Sequence, residues 1–279
     1  MSKGSQPTDG GNLILTEKEK TELLKKAPQF GPYIKRYMGA DDLINNHVRY
    51  CLWLKNCPPN ILRSSSEVMK RIEGVKKARL ASPKAATRKQ AEIPTLFTED
   101  RQPDRDYIIL PVVSSENRRY MPMCYVSKDV VANANAQMIP CGDLYTFGIL
   151  NSSVHNTWMR TVCGRMKSDY AYSATIVYNN FPWPDICRHS ERSEESVRCF
   201  ANAQHDKIEQ TAQQILDARA KYPDSSFADL YDETTMPADL RKAHRENDKA
   251  VMAAYGFDPK MSEAEIVAEL FKMYEKLTK

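Results

Sequence analysis

Glycine is scarce in this 279-residue sequence, with only 10 residues, and none of them falls in a G-x-G-x-x-G or Walker pattern. That removes the usual backbone cradles for dinucleotides and nucleoside phosphates. No apolar run approaches the roughly 18 residues of a membrane span. The N-terminus, Met1-Ser-Lys-Gly-Ser-Gln-Pro-Thr-Asp-Gly-Gly, lacks the apolar core of a secretory signal. The seven cysteines are scattered, odd in number and never spaced Cys-x-x-Cys. They argue for reduced thiols in a cytoplasm rather than a disulfide framework or a zinc site. Catalytic signatures are missing as well. Asn56-Cys-Pro-Pro-Asn60 differs from the Asn/Asp-Pro-Pro-aromatic loop of amine methylation, because Cys57 interrupts it and no aromatic residue follows. Asp258-Pro259-Lys260 has only the tail of a metal-nuclease pattern, and no Ser or Cys stands in a nucleophile context. The expectation is a chain without catalysis, cofactor or metal of its own.

Apolar content of 42% and charged content of 27% are those of an ordinary globular protein, and the length allows one good core and a smaller second one. The net charge of +4 is unevenly spread. Residues 60–90 carry nine Lys/Arg (Arg63, Lys70, Arg71, Lys76, Lys77, Arg79, Lys84, Arg88, Lys89) against Glu67 and Glu73. From Lys207 onward eleven Lys/Arg face fourteen Asp/Glu, a net of −3, which leaves +7 for the rest. A basic front suits contact with a polyanion, although a solvated helix face explains the same cluster.

Thr16 and Glu19 form a capping box opening a short helix that ends before Pro28. Strands are expected at Tyr33–Met38 and Val48–Leu54, joined through a turn at Asn45-Asn46. Val68, Ile72, Val75 and Arg79 recur at helical spacing in a basic helix over Ser66–Leu80. Further strands fall at Tyr107–Val113 and Tyr120–Val126, with helices at Asp143–Leu150 and Ser153–Val162. An extended piece follows from Arg165 to Tyr178. After Lys207 three helices, Ile208–Tyr222, Pro237–Tyr255 and Ser262–Leu277, form a small helical domain. The class is α+β: mixed and antiparallel strands with helices over residues 1–184, then an all-α domain over 207–279. Residues 185–206, polar and charge-mixed without a period, resemble the translated product of interspersed bacterial DNA repeats. This segment is expected to be a tolerated insertion, in which Cys187, His189, Cys199 and His205 form no metal site.

The most informative stretch is Cys163-Gly-Arg-Met-Lys-Ser-Asp-Tyr-Ala-Tyr-Ser173 with Ile176-Val-Tyr-Asn-Asn-Phe-Pro-Trp-Pro184. It resembles a signature of the target-recognition domain of the MmeI-like (type IIL) enzymes, which fuse restriction and adenine-specific DNA methylation in one chain. Gly4–Ile14, Gly39–Asn45, Arg49–Leu54, Ser82–Arg88 and Tyr145–Ser153 are similar to further blocks of that family in the same order, and the helical tail resembles its C-terminal domain. The resemblance implies sequence-specific binding of duplex DNA. It also implies a separate N-terminal methyltransferase domain of the same enzyme, with or without a nuclease domain, that binds S-adenosylmethionine. A complete enzyme with an unrecognised site and a protein-interaction module are the alternatives.

In an extended segment Lys167, Asp169 and Ala171 point to one face and Ser168, Tyr170 and Tyr172 to the other. An ammonium can donate to guanine O6/N7 and a carboxylate can accept from cytosine N4, so Lys167 and Asp169 together suit one G·C pair. The resemblance makes this the base beside the methylated adenine. Its members often carry Arg where this chain has Ala171, so readout of that base pair is either relaxed or made by contact with a thymine methyl. The competing reading is a surface ion pair, worth about 0–1 kcal/mol. Asn133 and Asn135 carry amides that can pair with adenine. Ser114, Ser115, Glu116, Arg118 and Arg119 form a candidate hairpin tip, and Arg88, Lys89, Arg165, Tyr170, Tyr172 and Ser173 are candidates for backbone or hairpin contacts. Trp53, Trp158 and Trp183 are expected to pack, and His155 to be a satisfied core histidine.

Overall fold

The computed structural model describes residues 1–140, 142–184 and 195–278, the first eight of the last stretch as helix backbone alone. The front of the chain forms a sheet in the order β2 (Ile14–Thr16), β4 (Arg49–Leu52), β3 (Ile34–Met38), β8 (Val130–Ala132), antiparallel except for the parallel β3–β8 pair. Helix α1 (Glu17–Lys26) starts at the expected box: Glu19 N donates to Thr16 Oγ1 at 3.2 Å, and Thr16 N donates back to Glu19 Oε2 at 2.8 Å. The apolar stripe of α4 (Ser66–Leu80) packs with Leu13, Leu23, Phe30 and Tyr37 into a front core. Short helices α3 (Pro59–Arg63) and α5 (Ala85–Lys89) flank α4.

Arg79 belongs to that stripe by position and is fully buried. All five of its guanidinium N–H groups donate to carbonyls: Nε to Thr8, Nη1 to Gln90 and Ile93, Nη2 to Pro7 and Leu96, at 2.6–3.1 Å. It is an internal cross-link and no part of a basic surface. Arg71 is likewise engaged, with Nη2 on Glu19 at 2.8 Å and Nη1 on the Asn12 carbonyl. The nine cations counted along residues 60–90 therefore overstate the charge that this face offers.

One helix lies where only a turn was expected. Gly39 leads into α2 (Ala40–Asn45), the Asp42 carboxylate accepts from Gly39 N at 2.7 Å, and the helix ends at Asn46 with φ +55°. Asp42 is buried and Arg49 of β4 grips it bidentately. The conformational need at Asn46 is the signal the sequence carries, because Asn tolerates the left-handed region.

A second sheet runs β1 (Ser2–Lys3), β9 (Ala136–Ile139), β5 (Tyr107–Pro111), β7 (Cys124–Val126), all antiparallel. Both faces of β5 are covered. Tyr107 and Ile109 join a small cluster with Leu43 and Met138, whereas Ile108 and Leu110 face the back of the molecule. This explains the unbroken apolar run Tyr-Ile-Ile-Leu. The strand expected over Tyr120–Val126 is reduced to β7, because Tyr120–Met123 find side-chain partners instead of a ladder. Tyr120 donates its hydroxyl to Asp248 at 2.7 Å, and Met121 N donates to Asn156 Oδ1 at 2.7 Å.

The back core joins α6 (Leu144–Leu150) and α7 (Ser153–Val162) to the tail helices α8 (Glu195–Ala220), α9 (Phe227–Leu230), α10 (Ala238–Tyr255) and α11 (Glu263–Thr278). Its members include Leu110, Phe147, Trp158, Tyr172, Ile215, Leu240 and Leu270, so the tail shares one hydrophobic interior with residues 108–181. At Gly148 a Cβ would meet Ile208 Cγ2 at 2.7 Å, and this lets α6 approach α8 closely. Residues 185–194 of the expected insertion lie outside the described residues. Helix α8 begins at Glu195, so the expected boundary at 206/207 falls within one continuous helix.

Candidate nucleic-acid interface

The stretch expected to run extended from Arg165 to Tyr178 is broken twice. Residues β10 (Gly164–Met166) and β11 (Asp169–Ala171) form an antiparallel hairpin, with Lys167-Ser168 as its two-residue turn. Then Ser173 caps a single π-helical turn over Ala174–Tyr178, its Oγ accepting from Ile176 N at 3.4 Å. The hairpin adds onto β6 (Val113–Ser114), giving the order β10-β11-β6. Lys167 has φ +57° and Ser168 does not share the positive φ, a pattern of II′-type turns in which glycine normally leads. Lys167 is thus at the hairpin tip rather than on a strand, and the alternation that put it on one face with Asp169 does not apply to it.

Beyond the two turn residues, Lys167 and the exposed Ser168, the alternation holds. Tyr170 and Tyr172 point inward, 8% and 2% exposed, while Asp169 and Ala171 lie half-buried on the outer side. Tyr172 is hydrogen-bonded to His155 Nε2 at 2.9 Å, and Gln137 Nε2 donates to its carbonyl at 2.8 Å. Expected among the DNA contacts, Tyr172 is instead a core residue. The same correction applies to Ser114, 2% exposed on β6 opposite Tyr170. Ser173 has its hydroxyl committed to the π-helical turn and to Thr175 Oγ1 at 2.9 Å.

The hairpin and the 114–119 loop meet. Glu116 N donates to Asp169 Oδ1 at 3.4 Å, and Arg165 Nη1 lies 3.9 Å from Glu116 Oε2. The half-buried Arg118 guanidinium feels the carboxylates of Asp169 and Asp232, which partly offset the burial that lowers its proton affinity. Arg119 is exposed and its carbonyl accepts from Arg160 at 2.8 Å. The result is a compact head carrying Lys167, Asp169, Glu116 and Arg118, whereas the Arg119 side chain lies by Tyr120, Asp248 and Glu263. Neighbouring Met166 and Ile176 are 58% and 48% exposed, an apolar component that sequence reasoning missed.

Residues 1–185 match the target recognition domain of MmeI, and residues 200–279 match its C-terminal domain. The chain belongs to the MmeI family. DNA methyltransferase A of Bacillus subtilis (strain 168) is 34% identical over 275 residues, 99% of this chain and 30% of that protein. The type IIL restriction-modification enzyme MmeI, solved in complex with DNA, superposes with a TM-score of 0.84 at 40% identity over 99% of this chain and 35% of its own. The chain spans about a third of the length of these relatives.

Other candidates in this MmeI-family chain are scattered. Asn133 and Asn135 form the tight link between β8 and β9, where Asn133 Oδ1 accepts from Asn135 N at 2.9 Å; Asn135 remains exposed. Gln137, two residues on, ties this link to the hairpin through Tyr172. Arg88 turns back on its own loop, donating to the Ser82 and Pro83 carbonyls at 2.9 and 2.8 Å, and with exposed Lys89 it sits on α5 beside α4. Those two are not brought together with the hairpin. His155 is fully buried and its pKa is pushed down to about 3 by that burial, so it is a neutral core group. Trp158 packs as expected, and Trp53 and Trp183 stack edgewise on Phe97 and Phe181. Cys187 and His189 lie outside the described residues, Cys199 falls where α8 is described as backbone alone, and the His205 ring stacks on Tyr145 at 4.3 Å.

Proposed function

We propose that this chain reads duplex DNA for an adenine-specific DNA methyltransferase or restriction-modification enzyme, with the hairpin tip against the major groove. The observation that carries the reading is the tip itself: Lys167 exposed at the turn and Asp169 two residues on along the outer side, on a hairpin anchored from behind by two buried tyrosines. A two-stranded β-ribbon fits a major groove, an ammonium donates to guanine O6/N7, and a carboxylate accepts from cytosine N4. Because Asp169 Oδ1 accepts from Glu116 N, Oδ2 remains to accept from a base. Ala171, beside Asp169 on the outer side, supplies only a methyl group and suits a thymine methyl. Arg118, Arg119 and Lys89 are candidates for phosphate contacts, which position without specifying sequence.

On this reading the catalytic work belongs to a methyltransferase domain of the parent enzyme, which binds S-adenosylmethionine and extrudes the target adenine. The chain's share is selection of the site. Selection of bound duplexes from a randomised library, using the 279-residue chain, tests it. The wild-type chain should enrich G at one fixed position, and Lys167→Glu with Asp169→Arg should enrich C there, each contact contributing about 1–3 kcal/mol. An unchanged enriched motif after the double substitution removes the reading.

A further inference from the structure

We infer that Arg165 is a positioning residue that fixes the tip of the reading hairpin, rather than a phosphate contact; the inference rests on the base-reading role proposed for Lys167 and Asp169. Three contacts define it. Arg165 Nη1 donates to the Ser168 carbonyl at 2.7 Å, closing the turn across its own mouth. The guanidinium lies over the Tyr170 ring at 4.0 Å from its centroid, and the two residues are direct cross-strand partners. The third contact is Glu116 Oε2 at 3.9 Å, which faces the hairpin from the 114–119 loop.

These contacts meet a specific need. A non-glycine residue in the left-handed region is disfavoured, and such a conformation persists only when its surroundings over-determine it. Lys167 is in that conformation, flanked by the residue whose carbonyl Arg165 holds. Fixing the Ser168 carbonyl fixes the peptide that leads into Asp169, so the ammonium and the carboxylate keep one relative geometry. Tyr170 is the floor of the clamp. It is 8% exposed, held by β6 on its other side, and it offers the flat face on which a guanidinium stacks while its N–H groups donate in plane. A lysine at 165 keeps the charge but cannot stack and donate in plane at once.

The two roles leave different marks on DNA binding. A phosphate contact contributes to every duplex alike and to the salt slope, about one unit per contact. A positioning residue contributes to discrimination at one base pair. The experiment takes the duplex selected by the wild-type chain and its three variants at the G·C pair, and measures affinity for each across a salt series. With Arg165→Ala, discrimination is expected to fall from the roughly 5- to 150-fold of a good base contact to under about threefold, with the salt slope kept. Arg165→Lys should fail to restore it.

Two results overturn the inference alone: Arg165→Ala retaining wild-type discrimination, or weakening all four duplexes equally with a reduced slope that Arg165→Lys restores. A wild-type chain that ignores that base pair overturns the base-reading proposal itself, and the inference with it.

Discussion

The front core, around Leu13, Phe30, Tyr37 and Val75, and the back core, around Phe147, Trp158, Ile215 and Leu240, are built on different chemistry. Around the front core few polar side chains are buried, chiefly Asp9, Asp42, Ser65 and Arg79, and most serve backbone groups. The back buries a network: Asn151, His155, Asn156, Arg219, His244, Asn247 and Asp248. Arg219 donates to the Met123 carbonyl at 2.6 Å, to Asn151 Oδ1 and to Tyr231, whose hydroxyl also meets His244 Nε2 at 2.9 Å. Asn247 bridges the Gly148 carbonyl at 2.7 Å and Thr211. Apolar packing tolerates many shapes, whereas a hydrogen-bonded polar network specifies one arrangement, even with His155 Nδ1 left without a partner among the described residues. The back is where the hairpin's tyrosines are anchored, so the fixed arrangement lies behind the surface proposed to read bases.

The exception in the front supplies the largest expected effect. Replacing Arg79 by Met keeps much of its volume but leaves five carbonyl oxygens, from Pro7, Thr8, Gln90, Ile93 and Leu96, without their donor. Each buried acceptor left without a donor costs about 1–3 kcal/mol, partly offset because no guanidinium charge is then buried, so a net loss of about 3–5 kcal/mol is expected. Urea denaturation of Arg79→Met should show a loss of that size. A loss under about 1 kcal/mol would mean that water replaces the guanidinium easily, and the contrast between the cores would fade.

Acid should separate the two halves next. The folded-state pKa of His155 is depressed to about 3, below its unfolded value near 6.5, because burial disfavours the imidazolium. Between those values the unfolded chain binds the extra proton, so stability is complete above about pH 6.5 and declines as pH falls toward 3. By pH 4.5 the loss from this residue is about 2–3 kcal/mol. Burial holds His244 well below its ordinary value too, and it adds in the same direction; Asp248, whose pKa burial raises, opposes them. In the front, Glu19 is depressed to about 2 by the Thr16 amide and Arg71, so its contribution is lost only below about pH 4.5. Unfolding of wild type and His155→Gln at pH 7 and 4.5 should show the variant losing less over that interval. Equal losses would show that His155 titrates normally.

The front was the more legible half for the same reason. The Thr16/Glu19 box and the Val68–Ile72–Val75–Arg79 stripe are local signals, and the structure keeps both, although nothing local distinguishes an inward Arg79 from a surface cation. In the back, the tail helices followed their caps, with Gly256 at φ +68° ending α10 and Ser262 boxed by Glu265. Their shared core with α6 and the hairpin depends on contacts between residues a hundred positions apart, such as Asn247 with Gly148, which no periodicity encodes. The hairpin was misread as one long extended piece because its turn, Lys167-Ser168, has none of the Gly or Asn that marks two-residue turns. The Arg165 and Tyr170 spacing was the available clue, since positions five apart pair across such a turn.

That unmarked turn gives the smallest expected effect and the sharpest separation between folding and reading. Were the tip shaped for stability, glycine would occupy position 167, as φ +57° favours it. Relief of the left-handed conformation is worth about 1–2 kcal/mol, and the extra unfolded-state freedom of glycine takes back about 0.5–1 kcal/mol. Lys167→Gly should therefore stabilise the chain by up to about 1.5 kcal/mol in denaturant unfolding, while the preference for G in library selection disappears. A hairpin that gained stability and kept its preference would make the ammonium dispensable and leave the strain at Lys167 without a function.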